Sequence, residues 1–330
     1  MRFGVVGAGA IGAYVGAALA RGGADVTLIA RGAHLRAMQQ DGVKVLSPRG
    51  DFHAHPVATD DLDAVSDAEV VFLGLKAHSL PAVADRIGRA LAPSASVIAA
   101  QNGIPWWYFQ GESGARAGLR LESVDPGGRL ARAIAPDCVI GCVIYCSTEI
   151  VEPGVIRHLE GTRFAIGEPD GTDSERCERI SKAFVAGGLR APVEADLRRH
   201  IWLKLIGNAA FNPASALTGA TLAQLGSRPD MVAVLRTVLE ESAAVAAALG
   251  VELPVSIERR LEAGFAVGEH KTSMLQDLEA GRPLEVDCLT GAVIELGEQL
   301  DVPVPATRIL HACTKLLDDL RASRPVGVAA

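Results

Sequence analysis

FGVVGAGAIG, the stretch at residues 3–12, decides the fold of this 330-residue chain. Its first four residues read as a short buried β-strand, and the pattern Gly7-x-Gly9-x-x-Gly12 follows directly. Between a strand and a helix, this pattern lets the backbone turn tightly, approach a pyrophosphate and pack the helix close to the strand. The helix N-terminus then points at the phosphates. The stretch therefore predicts a dinucleotide site formed by Gly7, Ala8, Gly9, Ala10, Ile11 and Gly12.

An alternation of strands and helices follows this stretch. Apolar strands are predicted at residues 25–30, 70–75, 97–100 and 139–145, and residues 43–57 have the pattern of a hairpin with a polar turn. Strands separated by helical segments predict an α/β fold with a doubly wound parallel sheet.

From residue 174 onward the pattern is almost wholly helical. Helices are predicted at residues 174–186, 196–212, 231–249, 256–263, 287–299 and 307–322. We therefore predict two domains, a Rossmann-type domain at residues 1–171 and an all-helical domain at residues 172–330.

The composition excludes several classes of protein. The chain has 32 Lys and Arg against 39 Asp and Glu, a net charge of −7, whereas nucleic-acid binding depends on clustered basic charge. Residues 3–20 carry no charge, but their five glycines weaken a membrane-spanning helix, and no other segment is long and apolar enough to span. We expect a soluble protein that binds neither nucleic acid nor a membrane.

The six cysteines bear on the compartment and on metal binding. Cys138, Cys142 and Cys146 share a four-residue spacing, but they lie in an apolar segment without a nearby histidine, and the chain has no CxxC pair. Cysteines in such surroundings behave as small buried hydrophobes. We therefore expect reduced thiols, a cytoplasmic protein and no metal site.

The end of the second strand bears on the choice of cofactor. NAD sites place an acidic residue about 20 residues past the glycines, where it accepts hydrogen bonds from the ribose 2′-hydroxyl. Here the strand ends at Arg31, and the next acidic residue is Asp41. A guanidinium binds a 2′-phosphate, which a carboxylate would repel. We predict NADP(H), with Arg31 as a cofactor ligand; the alternative for Arg31 is a solvated charge at a strand end.

Five segments carry a resemblance to a known family. They are the glycine-rich turn at residues 7–12, VVFLGLK ending at Lys76, QNG at residues 101–103, WLKLIGNAAFNP at residues 202–213 and KTSMLQDLEAGRPLEVD at residues 271–287. In this order and over nearly the whole chain, they resemble the ketopantoate reductase (2-dehydropantoate 2-reductase) family. The resemblance implies a two-domain, NADPH-dependent oxidoreductase that reduces the 2-keto group of ketopantoate to pantoate, on the route to pantothenate and coenzyme A. It also implies an active site in the cleft between the domains, a small 2-keto acid as substrate, and a homodimer.

Lys204, Asn208 and Asn212 are spaced four residues apart, so on a helix they lie on one face. A cation and two amides there can hold a keto acid, and an ammonium stabilises and protonates the ketone oxygen during hydride transfer. The resemblance implies that Lys204 is the general acid and that Asn208 and Asn212 orient the substrate. Pro213 disfavours helical backbone at Asn212, so a kink is expected there. The alternative for Lys204 is a solvated charge.

The segment at residues 271–287 contributes two further candidates. Ser273 is predicted to begin a short helix, with Gln276 as its capping-box partner. The resemblance makes Ser273 a ligand of the substrate carboxylate as well. It also implies that Glu285 binds the substrate hydroxyl and pairs with the catalytic lysine, whereas Asp287 is expected to cap the following helix.

Lys76 and Asn102 follow two parallel strands at their carboxyl ends, where open α/β sheets bind ligands. The resemblance implies that both line the nicotinamide and substrate pocket, as cofactor ligands and, for Asn102, as a substrate ligand too. The alternative is two strand-end turns. His78 and His200 lie nearest these motifs and are expected to be structural or surface residues.

One segment departs from the family. Residues 105–136 form a long connection that opens on an aromatic cluster, Trp106, Trp107, Tyr108 and Phe109. Long loops are often functional, and aromatic residues are enriched at interfaces. The cluster is expected to cover the substrate, to admit a different 2-keto acid or to form a dimer contact. Two other functions therefore stay open, a different dehydrogenase or reductase on the same fold and a non-catalytic NADP(H) sensor.

Overall fold

The computed structural model describes residues 1–112 and 114–323, and its contacts divide the chain into two compact units. Unit 1 comprises Met1–Gln101 and Pro105–Leu197, and unit 2 comprises Asn102–Ile104 and the chain from Arg198 onward. The tripeptide Asn102–Ile104 therefore belongs to unit 2, although the chain on both sides of it belongs to unit 1.

Unit 1 is built on one sheet. Its strands, within the described residues, are β1 Arg2–Val6, β2 Asp25–Ile29, β3 Val43–Leu46, β4 Phe52–Ala54, β5 Val57–Thr59, β6 Val70–Leu73, β7 Ser96–Ala99, β8 Val139–Glu152 and β9 Val155–Gly167. Their order across the sheet is β4-β3-β9-β8-β7-β6-β1-β2-β5. Strands from β8 to β5 in this order pair in parallel, whereas β9 pairs antiparallel with β8, and β4 antiparallel with β3. The predicted α/β fold is confirmed, with a mixed sheet in place of a wholly parallel one.

Five α-helices accompany this sheet in the described part of unit 1: α1 Ala10–Arg21, α2 Gly32–Asp41, α3 Ala84–Ala90, α4 Arg129–Ala133 and α5 Glu175–Ala186. Small residues let α1 lie close to the strands, since a methyl group on Gly16 would lie 2.3 Å from Cδ2 of Leu28. Phe184 of α5 packs edge-on against Phe3 and Phe164. These contacts hold the glycine-rich turn, which precedes α1, on a rigid core.

Two strand predictions need correction. The strand β9 was not predicted, because the charges of Arg157, Glu160 and Arg163 interrupt its apolar pattern. The predicted hairpin over residues 43–57 is β3 and β4 only, and Val57 starts β5, which pairs with β2 instead. Pro56 lies between the two short strands and has no N–H to donate to a ladder.

The predicted domain boundary at residue 171 differs from the division into compact units. Helix α5 buries Ile180 and Phe184 in the core of unit 1. After α5, Arg190 and Val193 each form an isolated parallel β-bridge with a residue of β9. Unit 1 therefore continues to Leu197.

The aromatic cluster at residues 106–109 is buried. Its four side chains are at most 7% exposed, and the ring of Trp107 lies against Gly141 of β8, where a methyl group would be 2.5 Å from it. Further along the segment, the buried carboxylate of Asp125 accepts the amides of Leu130 and Ala131 and so caps α4. A dimer contact requires exposed side chains, so that prediction for the cluster is wrong; that it covers the substrate stays a prediction.

Unit 2 is helical. Its described helices are α6 Leu197–Thr218, whose first residue belongs to unit 1, then α7 Leu222–Gly226, α8 Pro229–Ala248, α9 Ile257–Phe265, α10 Ser273–Glu279, a π-helical turn Asp287–Gly291, α11 Ala292–Gln299 and α12 Pro305–Ala322. None of the helices in the described ranges is both long enough and apolar enough to span a membrane.

The predicted end of α6 at Asn212 is wrong, because the helix continues past Pro213 to Thr218. A proline inside a helix removes one backbone hydrogen bond and crowds the preceding turn. Residues on both sides of it, including Ala210, Ala214 and Ala216, are buried. Tertiary packing therefore maintains the helix across the proline.

Candidate active site

The turn after β1 has the geometry that a pyrophosphate requires. Gly7 has φ +96°, which is accessible to glycine, and a methyl group on Gly12 would lie 2.2 Å from the Gly7 carbonyl oxygen. Gly9 is the N-cap of α1. Apart from its chain neighbours, no heavy atom of the described residues lies within 4 Å of the position that a Cβ atom on Gly9 would take. The turn, with Ala10 and Ile11 in the first turn of α1, therefore leaves room for phosphates at a helix N-terminus.

Arg31 follows β2 after one intervening residue, Ala30, and its role as a cofactor ligand stays a prediction. It is exposed and stands at the N-terminus of α2 without capping that helix by its side chain. Asp41 ends the same helix ten residues later, about 15 Å away along the helix axis. Along the chain, the end of β2 therefore carries Arg31 where an NAD site carries an acidic residue; Asp60 follows Thr59 of the neighbouring strand β5.

Gln101 and His34 are two polar residues near these strand ends for which the sequence predicted no role, although Gln101 belongs to the QNG segment. The Gln101 side chain donates to the carbonyls of Leu73 and Leu75, at 2.8 and 3.2 Å, and so links the end of β7 to the end of β6. His34 on α2 accepts the Gly154 amide at Nδ1, 3.0 Å away, and burial lowers its pKa. Neither shows a sequence pattern, since each depends on neighbours from other strands or turns.

Lys76 lies three residues after the end of β6, which stops at Leu73 and not at residue 75 as predicted; its role as a cofactor ligand stays a prediction. It precedes the short 3₁₀ turn Ala77–Ser79 with extended backbone. His78 lies within that turn, and His200 lies in the first turns of α6.

Asn102, Lys204 and Glu285 form a hydrogen-bonded cluster within unit 2. Lys204 Nζ donates to Asn102 Oδ1 at 2.7 Å, and Asn102 Nδ2 donates to Glu285 Oε2 at 3.3 Å. Glu285 is only 8% exposed and Lys204 is half-buried. The amide of Asn102 thus has a fixed orientation between a cation and a carboxylate, because a flip would place its oxygen against Glu285.

The backbone next to Asn102 is held by the π-helical turn. Gly103 has φ +83°, and a methyl group on it would lie 2.0 Å from the Cys288 carbonyl oxygen. That oxygen accepts the Ile104 amide at 3.2 Å. In this turn the Ala292 amide donates to the Asp287 and Leu289 carbonyls, so the Cys288 carbonyl is left for Ile104. The π turn therefore provides the docking point for the tripeptide Asn102–Ile104.

The column on α6 lies in one helix that continues through Pro213. Asn208 is half-buried one turn after Lys204, and Asn212 is 6% exposed one turn further. Four residues advance an α-helix by slightly more than one turn, so each member of the column is rotated by about 40° from the last. Lys204 and Asn208 consequently share one side of α6, while Asn212 is turned into the interior.

Ser273 does not have the capping role that was predicted. The N-cap of α10 is Thr272, whose Oγ1 accepts the Leu275 amide, while Ser273 is exposed at the first helical position. Gln276 donates to the Lys271 carbonyl instead of forming a capping box. The Ser273 hydroxyl is therefore not used for capping.

Asp287 does not cap a helix as expected. It forms an ion pair with Lys315, 2.6 Å long, at the start of the π turn.

All six cysteines are free, and the described residues contain no group of three or more side chains suited to a metal ion.

Comparisons with known proteins extend over both units. Residues 3–171 match the family described as "Ketopantoate reductase PanE/ApbA", and residues 196–318 match "Ketopantoate reductase PanE/ApbA C terminal". A 2-dehydropantoate 2-reductase from Mesorhizobium japonicum is 45% identical over 318 residues, which cover 96% of this chain and 98% of the relative.

Two solved structures are also similar. The PanE/ApbA family ketopantoate reductase from Ralstonia eutropha JMP134 superposes with a TM-score of 0.85 and 31% identity, over 98% of this chain and 100% of that one. A D-mandelate dehydrogenase with NADH and anilino(oxo)acetate has a TM-score of 0.83 at 19% identity, over 98% of this chain and 100% of that one. At that identity the second likeness concerns the fold.

Proposed function

The chain belongs to the ketopantoate reductase family, and from this premise we propose that it reduces the 2-keto group of ketopantoate to the alcohol of pantoate with NADPH, in pantothenate biosynthesis. It is an oxidoreductase that depends on a pyridine nucleotide. The observation that carries the proposed chemistry is the cluster of Lys204, Asn102 and Glu285, which places an ammonium beside an oriented amide and a buried carboxylate.

The cofactor fits the residues of unit 1. The open space beside Gly9 and the close packing at Gly12 suit a pyrophosphate on the N-terminus of α1. Arg31 would hold the 2′-phosphate, and Lys76 and Asn102 are proposed to lie along the nicotinamide. When bound, the nicotinamide supplies the hydride that reduces the ketone carbon.

Lys204 is proposed as the general acid. Its ammonium has three N–H donors, of which one is used by Asn102. With substrate bound, the ammonium is proposed to donate to the ketone oxygen, on which negative charge develops as the carbon is reduced. The proton then passes from Nζ to that oxygen, so a ketone, a hydride and a proton give the alcohol.

The other polar groups are proposed to position the substrate. Glu285 accepts the hydroxyl of ketopantoate and, through Asn102, is linked to Lys204. Asn208 and Asn212 orient the substrate from α6. Ser273 donates its exposed hydroxyl to the carboxylate.

A panel of substrates tests the proposal directly. NADPH oxidation, followed by absorbance, is measured with ketopantoate and with several other 2-keto acids. We expect the highest kcat/KM with ketopantoate. Turnover of other keto acids alone would favour a different reductase on the same fold, and no turnover at all would favour a non-catalytic sensor.

Arg31→Asp tests the cofactor preference. The new carboxylate repels a 2′-phosphate, so we expect the KM for NADPH to rise by about 10–100-fold, while the KM for NADH stays constant or falls. Arg36→Asp, at another exposed position of α2, is the matched control and should leave both constants unchanged. An unaltered NADPH/NADH ratio in Arg31→Asp would show that Arg31 does not bind the 2′-phosphate.

We also propose a cytoplasmic homodimer. The six free thiols suit a reducing compartment. Helix α12 exposes an apolar row in which Ile309, Leu316 and Leu320 are 65%, 58% and 54% exposed, and Cys313 is exposed between them. The row is symmetrical along the helix, so two antiparallel copies pair Ile309 with Leu320 and Cys313 with Leu316, as a twofold interface requires.

Leu316→Glu tests this interface. A charge in a buried apolar contact is unfavourable, so light scattering should give the mass of two chains for the unaltered protein and of one chain for the variant. Val185→Glu, at a 57% exposed position of α5, should keep the dimer. A single-chain mass for the unaltered protein would contradict the proposal.

A further inference from the structure

Arg260 is packed on the same helix as the proposed general acid. A methyl group on Gly207 of α6 would lie 2.1 Å from Nη2, 2.7 Å from Cζ and 3.0 Å from Nε of Arg260. These three atoms belong to one guanidinium group, so its plane covers the backbone at Gly207. The absence of a side chain at Gly207 makes this approach possible.

Gly207 lies in the same helical turn as the polar column. It is three residues after Lys204 and immediately before Asn208, and residues three apart on a helix are neighbours, with about 5–6 Å between their Cβ positions. A guanidinium over Gly207 therefore lies one helical turn from the Cα of Lys204, on the turn that leads to Asn208.

The packing of α9 on α6 defines the direction in which Arg260 reaches. One turn after Arg260, Gly264 of α9 lies against the ring of Phe211, where a methyl group would be 2.5 Å from Cζ. Phe211 is one turn after Gly207, so the two helices advance in the same direction here. Side chains on a helix tilt toward its N-terminus, which directs Arg260 toward the Lys204 end of α6.

The charges of the cluster give this guanidinium a role. Lys204 and Glu285 both contact the amide of Asn102, and Lys204 gives up its proton in the proposed reaction. The substrate is a 2-keto acid with one negative charge on its carboxylate. A permanent cation that does not lose a proton is suited to that group, and a guanidinium can bind a carboxylate with two parallel hydrogen bonds.

We infer that Arg260 binds the carboxylate of the 2-keto acid substrate, alongside the hydroxyl of Ser273. This inference rests on the proposed reduction of a 2-keto acid at Lys204. It makes Arg260 a determinant of specificity for keto acids over neutral ketones, and it gives Gly207 the function of admitting the guanidinium.

The experiment compares an acid with its neutral analogue. Arg260→Gln is assayed with ketopantoate and with the primary amide of ketopantoate, which keeps the ketone and the hydroxyl but has no carboxylate charge. We expect kcat/KM for the acid to fall by about 100-fold, mainly through KM, and that for the amide to change by less than about threefold. Arg259→Gln, the exposed neighbour on α9, should change neither.

Gly207→Ala provides a second variant in which Arg260 is retained. Its methyl group displaces the guanidinium, so it should reproduce the selective loss on the acid. NADPH binding by fluorescence checks that each variant is folded. Equal losses on acid and amide would overturn the inference and show a packing role for Arg260, as would unchanged kinetics with the acid.

If the proposed function is wrong, the experiment gives a different result from the one expected if only the role of Arg260 is wrong. In that case the unaltered protein does not reduce ketopantoate, and the acid–amide comparison is made with the 2-keto acid of the panel that it does reduce. The same selective loss on that acid would support the role of Arg260, and its absence would overturn it.

Discussion

Lys204→Ala is expected to lower kcat for ketopantoate reduction by about 10²- to 10⁴-fold, the range typical of a lost general acid. The ammonium is held 2.7 Å from Asn102 Oδ1, and its removal leaves the developing negative charge on the ketone oxygen without a cation or a proton donor. The dissociation constant of NADPH should stay within about twofold, because the glycine-rich turn belongs to unit 1.

Two further variants separate charge from proton transfer at this position. Lys204→Arg keeps a positive charge, but a guanidinium does not release its proton at neutral pH, so kcat should stay low while substrate binding recovers. Lys182→Ala, at an exposed position of α5, is the control for loss of a lysine. Single-turnover absorbance measurements give the rate of hydride transfer in each, and a native rate in Lys204→Ala would exclude Lys204 as the acid.

Gly103→Ala is expected to have the second largest effect, a fall in kcat of about 100-fold or more. The residue combines φ +83° with a position where a methyl group would be 2.0 Å from the Cys288 carbonyl oxygen. The tripeptide Asn102–Ile104 must therefore move away from the π turn. Asn102 then loses its position between Lys204 and Glu285.

Gly268→Ala is the matched control for this variant. Gly268 also has φ +83°, but apart from its chain neighbours no heavy atom of the described residues lies within 4 Å of the added methyl group. Both variants carry the strain of a left-handed alanine, about 1–3 kcal/mol, and should lower the midpoint of urea unfolding. Only Gly103→Ala should also lower kcat; equal kcat values in the two variants would contradict a positioning role for the π turn.

Local sequence patterns predicted the parts of the fold that depend on near neighbours. The glycine-rich turn, the apolar strand at β6 and the four-residue column on α6 all occur where their spacing indicates. The strand β9 could not be predicted, because its charged residues obscure the alternation and its stability comes from β8 and β3. Helix α6 passes Pro213 for a similar reason, since buried neighbours outweigh a local preference.

For the candidate site, the resemblance predicted a pairing of Glu285 with Lys204, whereas the structure links these two residues through Asn102. Asn102 follows a strand of unit 1, which favours a role at the sheet edge, yet it is bonded to Lys204 and Glu285 in unit 2. No sequence motif indicated a role for Arg260, because its position depends on Gly207, more than fifty residues earlier in the chain.

The amino-acid order by itself determined the dinucleotide turn, the helical column and the family to which the chain belongs, because each is encoded by residues close together or by motifs in a constant order. Only the tertiary structure decided which carbonyl receives the Ile104 amide, which residue caps α10 and which guanidinium lies against Gly207. Those contacts join residues distant in the chain, and the free energy that stabilises them arises when helices and strands pack.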